Sequence, residues 1–503
     1  MLLIFPPLAK ACEPPPGIAA LAASLKAHGV QCRLLDANLE GQLWLLGQPQ
    51  AAADTWSRRA SKGREGNLAA LRDIAVYRTP DRYRRAVSDL NRILSLSAAE
   101  NGVTIGFADY QHKILSPLRS ADLMAAALAP ESNPFFRYFS RRLPEFLAGV
   151  GTVGFSLNYL SQALCTFAMI GYVRKRYPTL KIILGGGLVT SWMQRPDWIN
   201  PFGDLVDNLI SGPGEEPLLA LLGSAATPER NAPPDYTGLP LAEYFSPGLI
   251  LPYSAGSGCY WNRCSFCPER AERNRYRPVP VSRVLSDLDH LTEQTAPVLI
   301  HLLDNAISPA LLHALAENPP GVPWYGFARI DDHLGDPEFC RALKRSGCAM
   351  LKLGLESGDQ EVLDRMCKGI SLALASRVLD NLHQAGIPVY CYLLFGTPGE
   401  SLAAARRTLE FVAGHYRAIS FLNLAVFNMP LYGDEAEEYG DKPFYEGDLS
   451  LYTAFRHPGE WDRKPVRRFL ESEFKRHPAI ASIVRNDPPQ FGSNHAAFLC
   501  GTQ

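Results

Sequence analysis

Short apolar runs ending in glycine or proline alternate with helical segments along most of this chain. That alternation is the strongest constraint on its fold. Strands joined through helices lie parallel in one sheet, with right-handed crossovers. The first run, Leu2–Phe5, stops at Pro6-Pro7. Residues 17–28 follow with Ile18, Leu21, Ala22 and Leu25 on one helical face, and Gly29 closes that helix. Residues 30–36 read as the second strand. The pattern resumes at residues 150–157, with a helix over 162–176, a strand over 181–184 and another over 204–210, then a helix from 217 to 222. Two of these strands run into glycine turns, Gly185-Gly186-Gly187 and Gly212-Pro213-Gly214-Glu215. Such turns at strand ends predict a doubly wound, Rossmann-like sheet whose ligand approaches the backbone beyond the strand C-termini.

Residues 40–149 break the alternation. Helical stretches over 81–94 and 121–129 mark them as a helical insertion between the second and third strands. The N-terminal domain therefore spans 1–225. A proline-bearing linker without periodicity covers 226–248. From 249 to 430 the alternation starts afresh, with helices over 282–292, 337–346 and 372–385 between strand-like runs. This predicts a parallel, partial (β/α)6 barrel with its site at the C-terminal mouth. Residues 431–503 form a small extension capping the barrel, with a charged helix over 466–476 expected as a solvated cap.

With 503 residues, the chain has room for about three domains or two large ones. Lys+Arg is 50 and Asp+Glu is 51, so the net charge is −1. A nearly neutral chain has no bulk electrostatic footprint for nucleic acid. No apolar run reaches the roughly 18 residues that span a bilayer. The first five residues meet two prolines without a basic stretch, unlike a signal peptide. A cytoplasmic protein is expected.

Eleven cysteines, an odd number, do not suggest a disulfide framework in a reducing compartment. Eight are scattered and suit small buried hydrophobes. The remaining three, Cys259, Cys264 and Cys267, follow the spacing C-x4-C-x2-C on a loop after the strand 249–253. Thiolates this close ligate metal. Structural zinc takes four protein ligands, yet the next histidines along are His290 and His301. Three thiolates suit a 4Fe–4S cluster with one open iron. Zinc completed from a distance is the alternative.

With Phe266 just before its last cysteine, this motif resembles that of the radical S-adenosylmethionine enzymes, a resemblance that extends over about 249–430. It implies that Phe266 and the strand-end residues Asp304, Arg329, Glu356, Ser357, Gly396 and Pro398 lie on the S-adenosylmethionine side. The segment Met366-Cys367-Lys368-Gly369 and the Pro398-Gly399-Glu400 turn match the order of that family's features. The commonest family spacing is C-x3-C-x2-C, so the first gap here is one residue longer. A doubly wound domain before such a barrel resembles the cobalamin-binding subfamily. That likeness implies that Ser156, Leu157, Gly185, Gly186, Gly187, Gly212, Gly214 and Glu215 cradle a cobalamin tail, with Gly186 leaving space for it. The Asp-x-His-x-x-Gly loop of other cobalamin proteins is missing.

The resemblance implies a radical enzyme using a 4Fe–4S cluster, S-adenosylmethionine and cobalamin, with methyl transfer to an unactivated carbon as the leading reaction. Radical cyclisation, rearrangement or carbon–carbon bond formation without methyl transfer is the alternative. A non-enzymatic cobalamin- or zinc-binding protein ranks lower, because it leaves the Glu356-Ser357 and Pro398–Glu400 matches unexplained. The implied partners are an electron donor such as flavodoxin or ferredoxin and a small-molecule or peptide substrate. Neither nucleic acid nor a membrane span is expected, and no catalytic residue beyond the cofactor sites is assigned.

Overall fold

A computed structural model describes residues 1–49, 54–224, 232–433, 435–443, 447–488 and 495–499. Residues 226–231 of the expected linker, and Cys500, lie outside the described residues. The chain divides into two compact units, Met1–Ile250 with Glu446–Ser450 and Pro489–Phe491, and Leu251–Tyr445 with Leu451–Pro488 and Gly492–Gln503. Among the described residues no helix is long and apolar enough to cross a membrane.

The first unit is built on five parallel strands: Leu2–Phe5, Arg33–Asp36, Thr152–Ser156, Lys181–Gly185 and Asn208–Leu209. Their spatial order is second, first, third, fourth, fifth. The direction of winding therefore reverses beside the first strand, the point at which such sheets open a ligand crevice. Every residue of Leu2–Phe5 is buried, as expected for a central strand covered on both faces. The fifth strand is shorter than residues 204–210 predict. Gly203 turns the chain at φ +53°, residues Gly203–Leu205 form a 3-10 turn, and the Asp207 carboxylate accepts the Ile182 amide. Asp36 ends the second strand and caps the next helix, accepting from the amides of Asn38 and Leu39 and from the Tyr244 hydroxyl. Burial pushes its carboxyl up to about 6.

Between the second and third strands lie the helices Ala37–Gly47, Thr55–Leu71, Pro80–Ala98, Ser120–Leu128 and Phe136–Leu147. The same stretch also holds a hairpin that the sequence reading did not contain, Val103–Ile105 with Tyr110–His112. Pro80–Ala98 buries Tyr83, Val87, Leu90, Ile93 and Leu94 along one side. Helix Ser120–Leu128 approaches helix Leu160–Arg176 so closely that a Cβ on Gly171 would lie 1.9 Å from the Ala127 carbonyl oxygen. Only glycine permits this crossing.

The second unit carries six strands in spatial order one to six: Ile250–Tyr253, Leu299–Leu302, Trp324–Ala328, Cys348–Glu356, Val389–Phe395 and Phe421–Val426. The pairings from the second strand to the sixth are parallel. Helices intervene, including Pro309–Glu317 and Leu402–Gly414. The extension adds a small antiparallel sheet of Met429–Pro430, Tyr452–Phe455 and Gly440–Pro443. The charged segment 466–476 departs from a solvated cap. Val466, Phe469, Leu470 and Phe474 are buried, and Phe474 meets Phe395 edge to face at 5.3 Å. Its charges sit on one side only, because an amphipathic segment seals its apolar side first.

We predict that Gly171→Ala forces the two helices apart and costs about 1–3 kcal/mol of stability. Urea denaturation of the variant against wild type measures it, and an unchanged midpoint contradicts the tight crossing.

Candidate functional site

The cysteine loop begins where the first strand of the six-stranded sheet ends. Residues Gly256–Ser257 pair antiparallel with Arg277–Pro278, which closes the loop at its base. Gly258 sits at φ +72°, and a Cβ there would fall 2.6 Å from the Arg275 carbonyl oxygen. Asp304, at the end of the second strand, is buried and accepts the Ala255 amide at 3.1 Å. Burial pushes its carboxyl up to about 6. Asn305 donates to the Gly258 carbonyl. The end of the second strand thus fixes the approach to Cys259.

Cys264 is buried, while Cys259 and Cys267 are partly exposed. Burial pushes the Cys264 thiol up, and the positive charges of Lys368 and Arg329 oppose that rise. Burial likewise pushes Cys267 up to about 11 against the pull of the Glu269 and Arg270 amides. The three cysteines share one loop, but among the described residues no three His, Cys, Asp or Glu side chains are set as a ligand group. The donor chemistry fits a thiolate-held cluster: three soft sulfurs, with two cations beside the innermost to offset the charge of the thiolates.

The long first gap has a structural account. Trp261 donates its indole N–H to the Cys367 carbonyl at 3.3 Å. Its ring stands over Gly369, where a Cβ would lie 2.2 Å from a ring carbon. Asn262, within that gap, takes the left-handed conformation at φ +45°. The Ser265 amide donates to the Met366 carbonyl, and Phe266 packs on Val362, Met366 and Ala404. The whole loop is therefore docked on the turn that follows the fourth strand.

Arg329, at the end of the third strand, is buried with its guanidinium 4.0 Å from the Trp261 ring centroid, and it donates to the Lys368 carbonyl at 2.7 Å. Glu356 ends the fourth strand at φ +66° and accepts from Lys368 Nζ at 2.8 Å. Gly354 makes room for that pair, since a Cβ there would lie 2.5 Å from Glu356 Oε1 and 2.7 Å from Lys368 Nζ. Neither Lys368, Trp261 nor Gly354 was singled out by the sequence reading. All three lay within matched segments, but no role was read for them there. Ser357 is fully buried, its hydroxyl shared with Thr408 and the Asp359 amide, so the fold uses it internally. Gly396 turns at φ +82° after the fifth strand and donates its amide to Glu400, with Pro398 between them. Burial pushes the Glu400 carboxyl up to about 7.

In the first unit, the turns at Ser156–Asn158, Gly185–Gly187 and Gly212 are tied into one patch. Leu157 donates its amide to the Gly185 carbonyl at 2.7 Å, Gly187 donates to Asn158 Oδ1 at 2.9 Å, and Gly212 donates to Thr190 Oγ1 at 2.9 Å. Gly186 does not leave space for a ligand. Its φ is +110°, and a Cβ would fall 2.4 Å from the Leu157 carbonyl oxygen, so the neighbouring backbone fills that space. Gly187 and Gly212 are the exposed glycines of the patch. Gly214 lies near Leu21, and Glu215 opens the helix Glu215–Leu221. The preceding loop 6–13 is held by side chains. Asn38 accepts the Ala9 amide, while Gln42, Ser161 and Gln162 donate to the carbonyls of Ala9, Leu8 and Pro6. A rim of exposed, side-chain-free backbone at strand C-termini fits a large ligand that approaches the main chain.

The Radical SAM superfamily model matches residues 253–412. The chain is 29% identical over 193 residues to the bacteriochlorophyllide d C-12(1)-methyltransferase of Chlorobaculum tepidum, covering 36% of this chain and 41% of that protein. It is 23% identical over 231 residues to an uncharacterized methyltransferase of Pyrococcus horikoshii, covering 42% and 50%. The chain therefore spans half or less of the length of these curated relatives. Two solved structures share the fold. One is the radical S-adenosylmethionine methyltransferase TsrM from Kitasatospora setae with cobalamin and a [4Fe-4S] cluster bound, at TM-score 0.54 and 15% identity over 92% of this chain and 84% of that one. The other is the cobalamin-dependent S-adenosylmethionine radical enzyme OxsB with aqua-cobalamin bound, at TM-score 0.52 and 14% identity over 64% and 58%.

Glu400 yields a pH prediction. Its carboxyl rises from an ordinary 4.5 to about 7 in the fold, so folding takes up a proton between those values. Stability should then fall as pH rises from about 4.5 through about 7. Glu400→Gln should flatten that fall. Urea midpoints at intervals across this range measure it, and an equal slope in both proteins refutes it.

Proposed function

We propose that this chain, which carries a radical S-adenosylmethionine domain over residues 253–412, is a cobalamin-dependent enzyme that transfers a methyl group to an unactivated carbon. The observation that carries this reading is the docking of Cys259, Cys264 and Cys267 beside Arg329, Lys368 and Glu356 at the ends of the third and fourth strands. When bound, a 4Fe–4S cluster supplies the electron that cleaves S-adenosylmethionine, and cobalamin supplies the methyl group to be transferred. The three cysteines would hold the cluster. Arg329 and Lys368 offset the negative charge of the thiolates and offer donors to a carboxylate. Glu356 offers an acceptor to an ammonium or a ribose hydroxyl, with Lys368 holding it in place. Phe266 anchors the loop in the apolar cluster behind it and keeps water from that side. Asp304 and Gly396 hold the strand ends that frame the site.

In the first unit, the patch around Ser156, Leu157, Gly185, Gly187 and Gly212 would receive the cobalamin tail on its backbone. The names of the relatives, several of them methyltransferases, support methyl transfer as the reaction. Radical cyclisation, rearrangement or carbon–carbon bond formation without methyl transfer is the second reading, and one observation favours it: the space expected at Gly186 is filled by Leu157. The reaction requires an electron donor, for which flavodoxin or ferredoxin is suited, and a small-molecule or peptide substrate. A cytoplasmic, reducing setting keeps the thiols available.

Replacing Cys259, Cys264 and Cys267 together with Ala should remove the cluster. Anaerobically reconstituted wild type should hold about four irons per chain and the triple variant almost none. Comparable iron in both proteins defeats the assignment. Cobalamin is tested at Gly187, whose backbone tolerates a side chain. Protein from cobalamin-supplemented cells should carry cobalt, and Gly187→Leu should lower the cobalt while leaving the iron unchanged. Cobalt absent from the wild type transfers the assignment to the second reading.

A further inference from the structure

We infer that His457 and Trp461, from the C-terminal extension, are positioning residues that hold the Gly396–Glu400 turn in the form that binds S-adenosylmethionine. This rests on the radical S-adenosylmethionine reading of the second unit.

The turn does not close by its own contacts alone. Gly396 donates its amide to Glu400 Oε2, and the same oxygen accepts the indole N–H of Trp461 at 2.7 Å, across 61 residues of sequence. The Thr397 carbonyl accepts from His457 Nε2 at 2.8 Å. The histidine can donate there because its other nitrogen is committed as an acceptor. Nδ1 takes the amides of Gly459 at 3.0 Å and Trp461 at 3.2 Å, which fixes the proton on Nε2. All four residues are nearly inaccessible: Glu400 and His457 are 2% exposed, Thr397 3% and Trp461 5%. The segment is itself anchored. The His457 amide donates to Asp462, and Arg463 donates to the Phe427 carbonyl just beyond the sixth strand.

Two features connect this clamp with ligand binding rather than with closure of the fold alone. First, the turn lies on a chain of contacts that reaches the cysteine loop. Arg365 donates to the Gly399 carbonyl, and the next residue, Met366, accepts the Ser265 amide between Cys264 and Cys267. Second, Thr397 Oγ1 and Glu400 Oε1 are buried on this same turn without a hydrogen-bond partner among the described residues. Native folds leave few such atoms, and two on one turn call for a partner such as a ligand or water. His457 and Trp461 answer the Thr397 carbonyl and Glu400 Oε2, and so hold the turn with Thr397 Oγ1 and Glu400 Oε1 left for a further partner.

The test is an anaerobic equilibrium titration of the iron-loaded enzyme with S-adenosylmethionine, followed by the electron paramagnetic resonance signal of the reduced cluster. Trp461→Phe keeps a ring against Phe469, 5.8 Å away in the wild type, and removes only the N–H. It should weaken binding about tenfold, the upper end of the usual effect of losing one hydrogen bond. Iron content, and the rate of 5′-deoxyadenosine release at saturating S-adenosylmethionine, should stay at the wild-type value. Glu400→Ala should lose at least as much, since it also frees the Gly396 amide. The double variant should lose less than about twofold more than Glu400→Ala, because the Trp461 bond is already absent from that variant. His457→Ala should weaken binding in the same direction. Affinity within about twofold of wild type for Trp461→Phe overturns the inference, as do fully additive losses or a loss that follows falling iron content. If iron-loaded wild type does not bind S-adenosylmethionine, the reading of the whole unit fails with it. Binding by the wild type with no effect of the variants sinks the positioning role alone.

Discussion

Trp261 lying on Gly369 is the contact on which the rest of the cysteine loop depends. A loop of this length, bearing three reactive thiols, has little intrinsic structure, and ordering it costs conformational entropy. The indole answers that cost by filling the space a Cβ would need at Gly369 and by donating to the Cys367 carbonyl. The same ring receives the Arg329 guanidinium on its face. The loop, the end of the third strand and the turn after the fourth are thereby joined through one side chain. The first cysteine gap carries this contact, and Asn262, next to Trp261, takes the left-handed conformation.

Charge is arranged around that contact with unusual economy. Arg329, Lys368 and Glu356 are held by strand ends and by each other. Buried charges survive only when paired and hydrogen-bonded, and Gly354 is the absence of a side chain that makes the Glu356–Lys368 pair possible. Asp304 and Glu400 follow another course: each ties a strand end to a backbone amide, and burial raises its carboxyl toward neutrality. The site thus separates carboxylates that keep an ionic partner from those that brace the frame.

The N-terminal unit shows the limit of reading glycines as ligand contacts. Gly185, Gly186 and Gly187 are adjacent in sequence, and Gly186 is the one from which space for a ligand is expected. In the fold Gly186 is required by Leu157, whereas Gly187 is exposed at the rim. Positive φ and crowding against the protein's own backbone demand glycine as strongly as a ligand does. Likewise Ser357, matched by motif to an open site, is absorbed by Thr408 and Asp359.

Local pattern sufficed for the α/β class and for the parallel sheets of both units. Each of these is written in periodicity or spacing, and short-range sterics translate such signals directly into strands, helices and turns. The hairpin at 103–112, the shortened fifth strand and the inward-facing side of 466–476 were not legible. They depend on what the rest of the chain leaves uncovered. The clamp of His457 and Trp461 on the Gly396–Glu400 turn is of the same kind: its donors and acceptors are about sixty residues apart, and no periodicity connects them. Sequence alone determined which chemistry is available, because thiols, glycines and strand ends declare themselves locally. Tertiary structure decided which of those groups face one another, because hydrogen bonds and close packing between distant segments exist only once the chain has folded.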